Sequence, residues 1–435
     1  MAWNLVHDIA PIYKEEIAVS DAIAKLRAIA ESAHGDGTFR LTIDPELSDA
    51  FRIDVTPDNS TVSVTAQDSI TLLYAAYDFE AKYLPKVSNS DLWKNGLVLG
   101  DHLPEWHYHT APTHTKRGLW TWGYVIRDIR GYIERMVSLK MNTLILWNDY
   151  PPQNSRELID YAHAYGVKVY YGFAWGWDTR FDQIDPAHTE ELTEAVVREY
   201  EEKYASLGLD GIYFQSFTEI WGDTLAGVVI ADAVTEFVNR TAGRILENHP
   251  DLEILFGLHA TSVMNRLPSI AKTDPRVSII WENSGAFPYS YDPFDIGRFD
   301  ETIDFHDRTR NLRETGGFGA VLKGLTKLDW RYFVHQSGDF ILGEDGADAV
   351  KKNADERRKM WRHVQAYWIR NAEYANRIIR RFGRDDMLTF LAEDGAIEAY
   401  LPYPLALAAE MMWDDTRDTA DILADTALRA DVEFM

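Results

Sequence analysis

From Lys116 onward the chain keeps one rhythm. A short apolar run gives way to a segment with apolar residues at helical spacing, and then another apolar run begins. The runs lie at 119–123, 142–149, 167–173, 211–214, 253–258, 277–281, 319–322 and 340–342, and helix-period segments at 128–140, 155–165, 188–205 and 224–248 lie between them. Runs this apolar belong to strands buried on both faces, and alternation with helices makes such strands parallel. Eight of them predict an α/β fold of the (β/α)8 barrel type. The competing open, doubly wound sheet wants a glycine-rich phosphate loop after its first strand, and none follows 119–123.

The barrel is expected over 116–345. Before it, 17–33 and 69–83 carry helical periodicity, while 39–43, 51–55 and 61–65 alternate as half-buried strands do. Pro57, Asp58, Asn59 and Ser60 between the last two are turn residues and predict a hairpin. Residues 1–100 therefore read as a small α/β domain and 101–115 as a linker to the barrel. Residues 346–435 read as helical, with Trp361, Val364, Trp368 and Ile369 on one stripe and further helices at 404–413 and 419–429.

Composition narrows the function classes. A formal net charge of −25 argues against nucleic acid and anionic membrane as partners. The chain lacks cysteine, which removes disulfide frameworks and thiolate metal sites. The first 16 residues alternate apolar and charged side chains without the apolar core of a secretion signal, and no apolar run reaches membrane-spanning length; a cytoplasmic protein is expected. His102, His107, His109 and His114 cluster in the linker. Their spacing matches no common zinc pattern and no acidic or cysteine partner completes one, so they are expected to be packed linker, with no metal and no cofactor.

A (β/α)8 barrel carries its chemistry at the C-terminal ends of its strands. Reading those ends gives Trp122, then Trp147, Asn148 and Asp149, then Trp175 and Trp177. The next group is Gln215, Glu219 and Trp221, followed by His259, then Trp281, Glu282 and Asn283, then Lys323. Tryptophan paired repeatedly with a carboxylate or amide suits a carbohydrate site: rings stack on a sugar face, and glycoside cleavage needs two carboxyl groups across the scissile bond. Glu219 lies beside Phe217 and Trp221, apolar neighbours that let a carboxyl hold the proton it must donate. Glu282 is its expected partner, and these tryptophans and polar residues are the expected substrate wall.

The chain also resembles the β-hexosaminidase and α-glucuronidase group of barrel glycoside hydrolases. The likeness lies in Lys116-Arg117-Gly118, in the segment from Met136 to Lys140 and Asn142, in Trp147-Asn148-Asp149, and in 158–167. The N-terminal segment 73–79 resembles their accessory domain, and 406–413 is similar to a segment near the end of the α-glucuronidase group. The resemblance implies a barrel with an N-terminal α/β domain, an acid at the end of strand four and a base at the end of strand six or seven. Glu219 and Glu282 match those positions. Hexosaminidases that use the substrate's acetamide have an Asp-Glu pair where this chain has Thr218-Glu219, so the α-glucuronidase-like arrangement fits better. Lys323 then meets a sugar carboxylate or forms a structural ion pair.

The leading reading is an exo-acting glycoside hydrolase for small oligosaccharides or glycosides, with Glu219 as acid and Glu282 as base or nucleophile. Two others stand beside it: a non-catalytic carbohydrate-binding barrel, and a metal-dependent sugar-processing barrel drawing on His259 and His335. The sugar, the linkage and the oligomeric state stay open, a homo-oligomer included.

Overall fold

The computed structural model describes residues 3–87, 99, 103–148, 150–175, 188–216, 222–225, 227–259, 263, 265–282, 299–325, 338–392 and 395–435. Its N-terminal part is a five-stranded mixed sheet in the order β1-β2-β4-β3-β5. The strands are β1 (Trp3–Asp8), β2 (Gly37–Ile43), β3 (Phe51–Thr56), β4 (Thr61–Ala66) and β5 (Trp106–Thr110). Helices α1 (Ile17–Ser32) and α2 (Ser69–Asp78) pack on it. The expected hairpin is there: β3 pairs antiparallel with β4 around Pro57–Asn59. α2 starts at a capping box in which Asp68 accepts from the Thr71 backbone at 2.8 Å, satisfying a donor the first helical turn leaves over. Two strands were not foreseen. β1 lies inside the charged, alternating start of the chain, and β5 lies inside the expected linker, where it pairs antiparallel with β3.

The second part is a closed barrel of eight parallel strands: β6 (Lys116–Trp122), β7 (Thr143–Trp147), β8 (Lys168–Gly172), β9 (Gly211–Phe214), β12 (Glu253–His259), β13 (Val277–Glu282), β14 (Phe318–Leu322) and β15 (Met387–Leu391). A short hairpin of β10 (Thr224–Leu225) and β11 (Val228–Val229) precedes the helix after β9, where a helix from 224 was expected. The connecting helices are α3 (Ile129–Ser138), α4 (Ser155–Ala164), α5 (Thr189–Lys203), α6 (Ile230–Asn248), α7 (Leu267–Ile270), α8 (Phe299–Arg310) and α9 (Ala347–Ile379). α10 (Tyr403–Trp413) and α11 (Thr419–Ala427) follow the last strand.

That last strand corrects the expectation of one at 340–342. The apolar run there has three residues, and its backbone instead serves the start of α4: the Gln153 amide donates to the Phe340 carbonyl, and Asn154 bonds both ways with Leu342. β15, a five-residue apolar run, lies beyond the long α9 and pairs with β14 and β6 to close the ring. The barrel thus takes its eighth strand from the stretch expected to be only helical.

Period-two alternation sorts the strand residues. Trp120, Ile145, Trp147, Tyr170, Tyr213, Leu255, Ile280, Val321, Met387 and Leu391 form a cluster of their own, the filling of the barrel. Their neighbours in sequence join the larger core between strands and helices. Gly118 shows how tightly β6 and β7 approach, since a Cβ there would stand 1.6 Å from the Thr143 carbonyl oxygen.

The two parts are joined through a buried charge network. Lys140, just after α3, is 1% exposed and donates to both Asp78 oxygens at 3.0 and 3.1 Å and to Glu410 at 3.2 Å. Lys82 donates to Glu410 at 2.9 Å, and Arg429 donates to Glu410 at 2.7 Å and to Asp431 at 2.8 Å. Lys140 adopts a left-handed backbone, φ +60°, which a non-glycine residue holds only when its surroundings fix it. Burial opposes ionisation of Asp78 and Glu410, but the Lys140 and Lys82 ammoniums outweigh it and hold both carboxyls below the usual range. Both acids therefore contribute stability above the ordinary carboxylate pKa, and it is lost as pH falls through their lowered folded-state values.

Removing one member leaves the others buried and uncompensated. Asp78→Ala is expected to cost about 3–5 kcal/mol, read as a fall in the urea midpoint. Glu80→Ala, which breaks the surface pair with Lys25, is expected to cost less than about 1 kcal/mol. Equal shifts for the two variants would remove the network from its role.

Candidate active site

Among the described residues, the C-terminal rim of the barrel collects a carboxylate, its donors and a wall of rings. Glu282, the last residue of β13, is 4% exposed. Its Oε1 accepts from the Tyr213 hydroxyl, in a short contact, and from Gln215 Nε2 at 2.5 Å. Its Oε2 faces Lys323 Nζ at 3.7 Å. Oε1 thus meets two donors, and Oε2 is the oxygen turned toward the lysine. Burial, and then the charge of Glu282, push the Tyr213 hydroxyl well above the phenol range, so it remains a donor. Gly257 makes room for this contact: a Cβ there would stand 2.1 Å from the Tyr213 oxygen and 2.8 Å from Glu282 Oε1. His259, two residues further along β12, pairs with Glu282 in the strand register.

The wall is aromatic. Trp122 and Trp147, the last residues of β6 and β7, are register partners with ring centroids 5.8 Å apart. Trp120 lies below them, 5.4 Å from Trp122 and 6.2 Å from Trp147. Tyr213 touches this group, 6.1 Å from Trp120 and 5.9 Å from Trp147, and so links the rings to the carboxylate. Asn148 follows Trp147 and is buried, and its Nδ2 has no acceptor among the described residues.

Trp175 and Trp281, expected on the substrate wall, lie elsewhere. Trp175 stacks on Phe214 at 3.7 Å and meets Phe237 of α6 edge-on. Trp281 packs against His306 of α8 at 5.0 Å. Both are fully buried between barrel and helices. Parity is the reason. Trp281 is one residue from the inward Glu282, and Trp175 is five from the inward Tyr170, so each side chain falls on the outer face. Sequence reading missed Tyr213, taken there as part of a buried apolar run; its distance of two from Gln215, which puts both on one face of the strand, is the signal that could have found it. Asp149, Trp177, Glu219, Trp221, Asn283 and His335 lie outside the described residues. Among the described residues, the one set of His and carboxylate side chains close enough to hold a metal ion lies on the N-terminal sheet, not at this rim.

Comparison with known proteins identifies the architecture. No protein-family model matches the sequence, and no curated protein matches it. Solved structures do match the fold. CpGH84B, a GH84 glycoside hydrolase, aligns over 97% of this chain and 70% of its own with a TM-score of 0.53 and 10% identity. CpGH84D aligns over 98% and 68% with a TM-score of 0.50 and 12% identity. A GH138 enzyme targeting pectin rhamnogalacturonan II aligns over 96% of this chain with a TM-score of 0.51 and 13% identity; the chain spans about half of it, 51%. At these identities the likeness is one of fold, and it is a distant resemblance to glycoside hydrolases.

The grip on Glu282 has a direct test. Tyr213→Phe removes one charge-assisted hydrogen bond while keeping the ring. On the best substrate from a glycoside screen, turnover is expected to fall by about 10- to 100-fold, the equivalent of roughly 1.5–3 kcal/mol, with the folded state retained by circular dichroism. Unchanged turnover would leave Tyr213 as barrel filling only.

Proposed function

We propose that this protein is a glycoside hydrolase acting at the ends of small oligosaccharides or glycosides, with Glu219 as general acid and Glu282 as base or nucleophile. The observation that carries this reading is the anchored carboxylate. Glu282 stands at the catalytic rim of a barrel, gripped by Tyr213 and Gln215 and bordered by the rings of Trp122 and Trp147. Fixing an acceptor oxygen before substrate arrives is what attack on an anomeric centre requires, whether the carboxylate activates water or attacks itself. The fold neighbours support the reaction class.

Glu219 supplies the second carboxyl in this reading, four residues beyond Gln215 in sequence. A separation near about 5 Å between the two carboxyls gives retention, and one of roughly 6.5–9.5 Å gives inversion. Trp122 and Trp147 offer ring faces or edges to the apolar side of a pyranose. Lys323, already drawn toward Glu282, offers its ammonium to an anionic sugar, which favours uronides over N-acetylhexosaminides as substrates. Among the described residues, no helix is long and apolar enough to cross a membrane.

A panel of aryl glycosides that includes uronides and N-acetylhexosaminides tests the class, and two amide variants test the roles. Glu219→Gln is expected to lower turnover by roughly 10²–10⁴-fold on an alkyl glycoside. With an activated aryl leaving group, which departs unprotonated, it is expected to cost much less. Glu282→Gln is expected to be severe on both. Equal, mild losses on both substrates would dismiss this pair, and saturable sugar binding without turnover in the unmutated protein would leave a carbohydrate-binding barrel.

A further inference from the structure

Two histidines of the expected linker, His107 and His109, share in three dimensions an acidic partner from a distant strand. β5 carries His107 and His109 at a spacing of two, so both side chains leave the same face of the sheet. Asp54 of β3 is the register partner of His107. Its Oδ1 lies 2.7 Å from His107 Nδ1 and 2.9 Å from His109 Nε2. The two imidazoles stand at 78° to each other with centroids 6.4 Å apart, so their nitrogens converge on one point instead of stacking. All three donor atoms lie within 4.8 Å of one another.

A second observation points the same way. The far nitrogen of His107, Nε2, is 3.2 Å from Glu105 Oε1. A carboxylate behind a ligating histidine fixes the ring's tautomer and orientation and raises its basicity, the usual outer support of a metal site. The backbone beneath is held too. The opposite face of β5 is pinned by Trp106 stacked on Tyr108 at 5.0 Å, with Trp106 also stacked on Tyr83 and Tyr108 against Phe51. A half-exposed set of histidine–carboxylate pairs contributes little to stability by itself, so stability gives no reason for this convergence.

We propose that Asp54, His107 and His109 bind a divalent cation of the zinc type on the outer face of the N-terminal sheet. Two imidazoles and one carboxylate match the donor preference of zinc over calcium or magnesium. Three protein ligands leave a position toward solvent for water or an external ligand. Ligation at about 2.0–2.1 Å sets neighbouring donors roughly 3.3 Å apart, an opening of about half an ångström from the present contacts, within reach of side-chain rotation. The bound ion ties β5 to β3 across 53 residues of chain, immediately before the first barrel strand. The site is separate from the barrel rim and does not rest on the glycosidase reading.

The test is metal binding by the full chain after stripping with a chelator and desalting. Titration with zinc against a chromophoric competitor is expected to show one tight equivalent per chain. Glu105→Gln is expected to weaken it by roughly 10- to 100-fold, and Asp54→Asn with His107→Asn to abolish it, each variant checked for folding by circular dichroism. Cobalt substitution adds a readout specific to the ligands, a visible absorption band that His109→Asn removes. No tight equivalent in the unmutated chain overturns the proposal, and so does a tight equivalent that survives in the folded double variant.

Discussion

Lys140 is the residue on which the assembly of this chain turns. An ammonium removed from water is costly unless several acceptors surround it, and Asp78 and Glu410 supply them. Asp78 ends a helix of the N-terminal domain, Lys140 follows the first barrel helix, and Glu410 lies in the helix after the last barrel strand. One cation therefore requires three distant parts of the chain to be in place together. Trp413 fills the same junction: it donates to Thr110 at 2.7 Å and packs under the Arg117 guanidinium at 4.9 Å. Arg117 in turn donates to the carbonyls of His114 and Lys140, and Asn142 bonds the Arg117 amide and the Thr115 carbonyl.

Several residues that the sequence reading singled out meet at this junction. Of the residues singled out, Trp147 and Asn148 lie at the C-terminal rim, whereas Arg117, Lys140, Asn142, Asp78, Glu410 and Trp413 meet here, at the N-terminal ends of the strands. The latter are residues of assembly. The chemistry collects at the other end of the same strands, where Trp122, Trp147 and Glu282 terminate β6, β7 and β13. The two ends are tied by short parallel strands whose hydrogen bonds leave little slack, so a rim residue inherits its position from a rigid scaffold.

Within the rim, alternation decides which aromatic side chains can meet a ligand. Trp147 and Trp281 end equivalent runs and look alike in sequence, yet one fills the barrel and the other the helix layer. The inward position after Ile280 belongs to Glu282, and a tryptophan one residue earlier has no choice of face. Tyr213 and Gln215 occupy successive inward positions of the neighbouring path, which is why both reach the same carboxylate oxygen.

The sequence by itself determined the barrel, its preceding α/β domain and most of its strands, because alternating apolar runs and helical stripes are local consequences of burial. It also determined that Glu282 ends a strand, and its parity carries the inward direction of Trp122, Trp147 and Gln215. The eighth strand was decided only in three dimensions: 387–391 and 340–342 are both short apolar runs, and closure is a matter of which one finds two free strand edges after a long helix. The same holds for the first and last strands of the N-terminal sheet, whose exposed faces blur the local pattern. Asp54 joins His107 and His109 through strand register, a relation between residues half a domain apart that no spacing encodes. Tyr213 belongs to the same class, since its role comes from the oxygen it touches on another strand and from a glycine on a third that lets it approach.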